Sequence, residues 1–172
     1  MQPSARALGL FAATLALALG ACGDPLRSRA QDALPGEVAG VPKGPNHRAG
    51  QPCLVCHDGS TAAEFSIAGT LFVTSTARSP LVGGVVILRD RDGVERTTTA
   101  NCVGNFYIPA GDYTPKYPLQ VRVSYGDKNV PMKSSIHREG ACGACHSDPV
   151  GPTSPGHVYF DDVSPPAVGG CP

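Results

Sequence analysis

The chain has 172 residues, enough for one domain once targeting and tail segments are set aside. Lys and Arg (14) balance Asp and Glu (14), so no polyanion-binding surface is implied and nucleic acid is not expected as a partner. Abundant Gly (21) and Pro (17), with no Trp, argue against a helical bundle and for a turn-rich β protein.

The first element is a targeting segment, residues 1–21. Arg6 supplies a positive start, and "ALGLFAATLALALGA" follows as an apolar run of fifteen residues, short for a membrane-spanning helix. It ends in Leu19-Gly20-Ala21-Cys22, which resembles a bacterial lipobox. That resemblance implies cleavage before Cys22 and acylation of its thiol. An ordinary secretory signal followed by a chance cysteine is the alternative. Either route takes the mature chain out of the cytoplasm, where disulfides persist. Residues 22–46 are rich in Pro, Gly, Ala and charge without apolar periodicity, and read as a flexible tether ahead of a single domain at 47–172.

That domain opens on "HRAGQPCLVCH", His47 to His57. From Phe65 the pattern changes to short apolar runs separated by turn residues: "FSIAGTLFV", "GGVVILRD", "VERTTTA", "NFYIPA", "LQVRVSYG" and "VPMK". Asp92-Gly93 stands where a tight hairpin turn is needed, because glycine accepts positive φ without a Cβ clash. Strands at this spacing, with no helical run between them, predict a mainly β domain, an antiparallel β-sandwich with its core at about 65–135. The stretch from "AGTLFV" through "SPLVGGVVILRDRDGVERTTTANCVGNFYIPAGDY" to "PLQVRVSY" resembles the carboxypeptidase regulatory-like, or transthyretin-like, sandwich. Asn101 departs from an aspartate frequent in that family. The resemblance implies a fold and leaves function open.

After the sandwich the opening phrase returns as "HREGACGACH", His137 to His146. Each copy ends in Cys-x-x-Cys-His: Cys53, Cys56 and His57, then Cys142, Cys145 and His146. This is the c-type haem attachment sequence. Two thiols three positions apart suit thioether formation with the two vinyl groups of one porphyrin, and the next imidazole is then held where it binds iron. Disulfides explain Cys-x-x-Cys in an exported chain but not the histidine that follows. With five histidines in 172 residues, both pairs acquire one by chance about once in a thousand. A four-cysteine zinc site is a third reading, and it also leaves the histidines idle. Two covalently attached haem c groups are therefore expected.

His47, His137 and His157 lie outside the motifs, and Met132 is the methionine left after signal removal. His47 and His137 lead the two phrases and are the candidate sixth ligands. A histidine so close upstream should not reach the far face of its own haem, so a crossed arrangement is expected: His47 serves the second haem and His137 the first. One haem with an open position is the simpler alternative. His157 is expected in a solvated loop near a last strand, and Met132 is a weaker sixth-ligand candidate whose alternative is a strand residue packing inward. Arg48 and Arg138 are candidate partners for haem propionates. Cys102 and Cys171 are left to form one disulfide.

Enzyme constellations are missing from the pattern, and Asp161-Asp162 reads as a solvated turn. No catalytic residue is assigned. A lipobox, a tether and two attachment motifs flanking a sandwich are together similar to small cytochrome-like lipoproteins of environmental bacteria. The resemblance implies a location and a cofactor, a lipid-anchored protein bearing two haems. With no evident substrate pocket, such a dihaem protein reads as an electron carrier working with redox partner proteins at a membrane. Gly23 gives no inner-membrane retention signal, which favours the outer membrane. A haem enzyme or sensor with an open position, and a non-haem binding or structural lipoprotein, are the alternative functions.

Overall fold

The computed structural model describes residues 24–160 and 171. The signal segment 1–21, the acylation candidate Cys22 and the pair Asp161-Asp162 lie outside the described residues. The chain divides into two compact units, Met1–Leu34 and Pro35–Pro172.

In the first unit, α1 spans Pro25–Asp32. Asp24 caps it, its Oδ1 accepting from the backbone N–H of Leu26 (3.0 Å) and Arg27 (3.2 Å). Pro25 occupies the first turn, where its missing N–H costs nothing. The tether expected over 22–46 thus holds a helix. Its absence of apolar periodicity reflects a helix that buries none of its residues.

The second unit is mainly β and begins at Pro35, ahead of the boundary expected at His47. Pro45 and Asn46 are held to it by side chains: Asn101 Nδ2 donates to Pro45 O (2.7 Å) and to Asn46 Oδ1 (3.1 Å). Among the described residues seven strands form two sheets: β1 (Phe65–Phe72), β2 (Val85–Arg89), β3 (Glu95–Thr99), β4 (Asn105–Pro109), β5 (Gln120–Tyr125), β6 (Lys128–Pro131) and β7 (Val158–Tyr159). One sheet has the order β4-β1-β7, the other β3-β2-β5-β6. The strand pairings are antiparallel, as expected, except β1 with β7, which run parallel.

Alternation explains the second sheet. Val86 and Leu88 point into the core while Val85 and Ile87 are half-buried, and Val86 is paired with Val123. The β2–β3 hairpin forms at the expected place. Asp90 Oδ1 accepts from the N–H of Asp92 and Val94, and Gly93 takes φ 81°. One core cluster draws on both sheets, with Ile67, Leu71, Phe106 and Ile108 meeting Val86, Leu88 and Val123.

β1 breaks the alternation. Every residue from Ile67 to Phe72 is buried. Segments distant in sequence cover it: Ala68 N–H donates to Gly140 O (3.0 Å), and Thr70 Oγ1 accepts from Gly50 N–H (2.8 Å). These two glycines belong to the two repeated phrases, so β1 is the platform on which both are built. A disulfide joins Cys102 to Cys171.

Candidate functional site

Each Cys-x-x-Cys lies on a single helical turn. Cys53–Val55 is a 3₁₀ turn begun by Pro52, and α2 spans Cys142–Cys145. The N–H of His57 donates to Cys53 O (3.0 Å), and that of His146 to Cys142 O (2.9 Å). One helical turn brings residues three and four apart onto the same side, so each motif gathers its two thiols and its imidazole locally.

The four motif thiols are free of disulfides. In each motif the first thiol donates weakly to the carbonyl two residues upstream, Cys53 to Gln51 and Cys142 to Gly140. Burial pushes the Cys53 thiol up to about 11. Burial and then the neighbouring Cys53 push Cys142 up to about 12. These are protonated thiols in apolar surroundings. Among the described residues no group of three or more His, Cys, Asp or Glu is assembled to hold a metal ion.

The motif histidines are oriented alike. His57 Nδ1 lies 2.8 Å from Ala63 O and His146 Nδ1 lies 2.7 Å from Gly156 O. A carbonyl only accepts, so Nδ1 is the donor in each ring, and the neutral form of each ring then has its lone pair on Nε2. A metal-binding imidazole is held in this way, its second nitrogen fixing the tautomer and ring direction. The ring of His57 is further stacked on Phe65, which is stacked on Tyr107. Phe65 has no sequence signal for this role beyond being the first residue of a strand.

The two motifs lie side by side. A Cβ on Gly143 would meet Gln51 O and Pro52 Cα at 3.2 Å, and one on Gly69 would stand 2.8 Å from Cys142 Cβ. Gln51-Pro52 directly precedes the first motif, so the glycine between the second motif's cysteines is what allows this approach. A cleft of about 370 Å³ lies beside the start of β1, lined by Phe65, by the loop from Tyr113 to Tyr117, by Leu54 and by Arg138 to Gly140; none of the motif cysteines or histidines lines it.

The leading residues differ. His47 is half-buried, its Nδ1 against Gly44 O, and its ring centroid lies 5.9 Å from that of His57. Arg48 is engaged by protein groups, with Nη1 donating to Pro35 O (2.8 Å) and Gln51 Oε1 (2.9 Å). His137 and Arg138 are exposed. Met132 is half-buried on an extension of β6, its N–H bonded to Val121 O.

His157 corrects an expectation. It is 1 % exposed, stacked on Phe72, with Nε2 3.1 Å from Asp148 Oδ1. Arg78 Nε donates to the other oxygen of Asp148 (2.6 Å). The loop expected to be solvated is closed by this Arg-Asp-His chain, whose members are too far apart in sequence to be paired by inspection. No protein-family model matches the chain, and no curated protein and no solved structure matches it.

Proposed function

We propose that the protein is a lipid-anchored dihaem c-type cytochrome that carries electrons in the cell envelope. The observation that carries this reading is the shared build of the two motifs. Each sets two unbridged thiols on one helical turn beside an imidazole whose Nδ1 is pinned to a backbone carbonyl. Disulfides account for neither the pinned imidazoles nor the free thiols.

Cys53 and Cys56 would attach one haem, and Cys142 and Cys145 the other. The two thiols of each motif would hold the porphyrin through thioethers to its vinyl groups, an S–H addition that needs no oxidant. His57 and His146 offer Nε2 to iron. The haem supplies one-electron exchange between ferrous and ferric iron. The chain's own contribution is to fix both imidazoles, to keep β1 as a rigid base beneath both motifs, and to hold the motifs against each other through Gly143. Anchoring the groups on touching segments favours electron exchange between them. The mainly β unit with two sheets is read as a transthyretin-like sandwich serving as scaffold. Cys22 would carry lipid and place the carrier at the outer membrane beside redox partner proteins.

The test is to express the full chain in a bacterial host with haem-attachment machinery and measure intact mass and the pyridine haemochrome spectrum. The expected result is a mature protein with acylated Cys22 and two covalent haems. A colourless protein, with Cys53–Cys56 and Cys142–Cys145 disulfides in its peptide map, overturns the reading.

A further inference from the structure

We infer that His47 is the second axial ligand of the iron attached at the first motif, paired with His57 of its own phrase. The inference rests on the haem reading above and replaces the crossed arrangement for this residue. Three observations carry it.

The first is spacing. The ring centroids of His47 and His57 are 5.9 Å apart, with planes tilted by 33°. Two imidazoles bound to one metal ion from opposite sides, at metal–nitrogen distances of ~2 Å, place their centroids roughly 6 Å apart. The second is orientation. His47 Nδ1 is taken up by the Gly44 backbone, whose carbonyl lies against it and whose N–H donates to it at 3.4 Å. Both contacts engage Nδ1, so Nε2 is the ring nitrogen that the Gly44 backbone leaves open. Among the described residues no protein hydrogen bond is found at Nε2 of either His47 or His57, so nothing within the protein bonds the two rings to each other. His137, the crossed candidate for this iron, is exposed, with no ring hydrogen bond among the described residues.

The third is the path of the chain. A ligand ten positions ahead of its partner must double back. Arg48 (φ 51°) and Gly50 (φ 84°) both adopt left-handed backbone, and Gln51 N–H closes the turn on Arg48 O at 3.1 Å. Positive φ at a non-glycine residue needs support. Arg48 receives it from Pro35 O and Gln51 Oε1. The carbonyl of His47 is fixed in turn by Asn105 Nδ2 at 2.9 Å. An extended chain would keep a near-upstream histidine from reaching its own iron, whereas this one is folded back. Arg48 is then a positioning residue for His47 and not a propionate partner.

The experiment compares the wild-type holoprotein with H47A, H47Q and H137A. It reads haem count by intact mass, spin state by ferric electron paramagnetic resonance, and carbon monoxide uptake by the ferrous protein. The expected result is two covalent haems in every variant. Only the His47 variants should convert one haem to a high-spin form and bind one additional carbon monoxide per protein, and added imidazole should restore the low-spin signal. Unchanged spin state in both His47 variants overturns the inference, as does opening of the site by H137A instead. If His47 variants unfold by circular dichroism, electron–nuclear double resonance of the H137A holoprotein decides the question. Two histidine nitrogens on the first iron of H137A support the inference, and one nitrogen overturns it. Wild-type protein without covalent haem overturns the electron-carrier reading itself, which the mass distinguishes from the other failures.

Discussion

The imidazole of His57 lies on the ring of Phe65, with centroids 4.0 Å apart and planes 10° from parallel. Phe65 N–H also donates to His57 O (3.2 Å), and the opposite face of Phe65 continues to Tyr107 at 4.5 Å. The strand that supports the site therefore begins by gripping its histidine. Aromatic pairs contribute about 0.5–1.5 kcal/mol beyond area burial. F65A is expected to lower unfolding free energy by about 1–2 kcal/mol, with F65Y near wild type. Urea denaturation checks this, and an unchanged midpoint for F65A would show the stack to be incidental.

Gly140 is the hinge of the second phrase. A Cβ there would overlap the carbonyl oxygen of Ser66 and stand 2.9 Å from Ile67 Cδ1. The first of these is backbone, which cannot rotate away. G140A is expected to destabilise by about 1–3 kcal/mol, the range for overpacking a close contact. It should also loosen α2 from β1, seen as faster amide exchange at Ala68. G111A is the control, since a Cβ at Gly111 meets nothing within 4 Å. Equal stability of the two variants would refute the close-packing account.

Legibility followed the range of the interactions. The β2–β3 hairpin was readable because alternation and Asp92-Gly93 are local, and the two Cys-x-x-Cys-His turns were readable because each is complete within five residues. The helix α1 was missed although Asp24-Pro25 is a local start signal, because its residues carry no apolar stripe. Burial along all of β1 was hidden, since the covering glycines come from phrases on either side of it. The pairing of His47 with His57 was hidden for another reason: no residue type announces positive φ at an arginine.

His157 and His137 are expected to behave oppositely on replacement. H157A removes a buried ring stacked on Phe72 and leaves the carboxylate of Asp148 with one fewer partner. A cavity plus a broken buried polar pair costs about 2–4 kcal/mol. H137A alters an exposed side chain and should stay within about 0.5 kcal/mol of wild type. Thermal and urea unfolding of both variants distinguish them. An H157A protein as stable as H137A would mean that the Arg78-Asp148-His157 chain does not close the loop.

The buried thiols make a pH prediction for protein produced without haem attachment. Cys53 and Cys142 are raised from an ordinary 9.0 to about 11 and about 12, in both cases first by burial. Above pH 9 the unfolded chain releases these protons while the folded chain retains them, so the unfolded state binds fewer protons and stability falls with rising pH. The contribution is whole below about pH 9 and is lost as pH rises through the folded values. C53S/C142S protein should therefore show a flatter decline than wild type between pH 8 and pH 11 in urea titrations under reducing conditions. At pH 8, iodoacetamide should modify the exposed Cys145 before Cys142, as read by peptide mass. Equal alkylation rates, or identical pH slopes for the two proteins, would mean that these thiols are not sealed against β1 in the folded state.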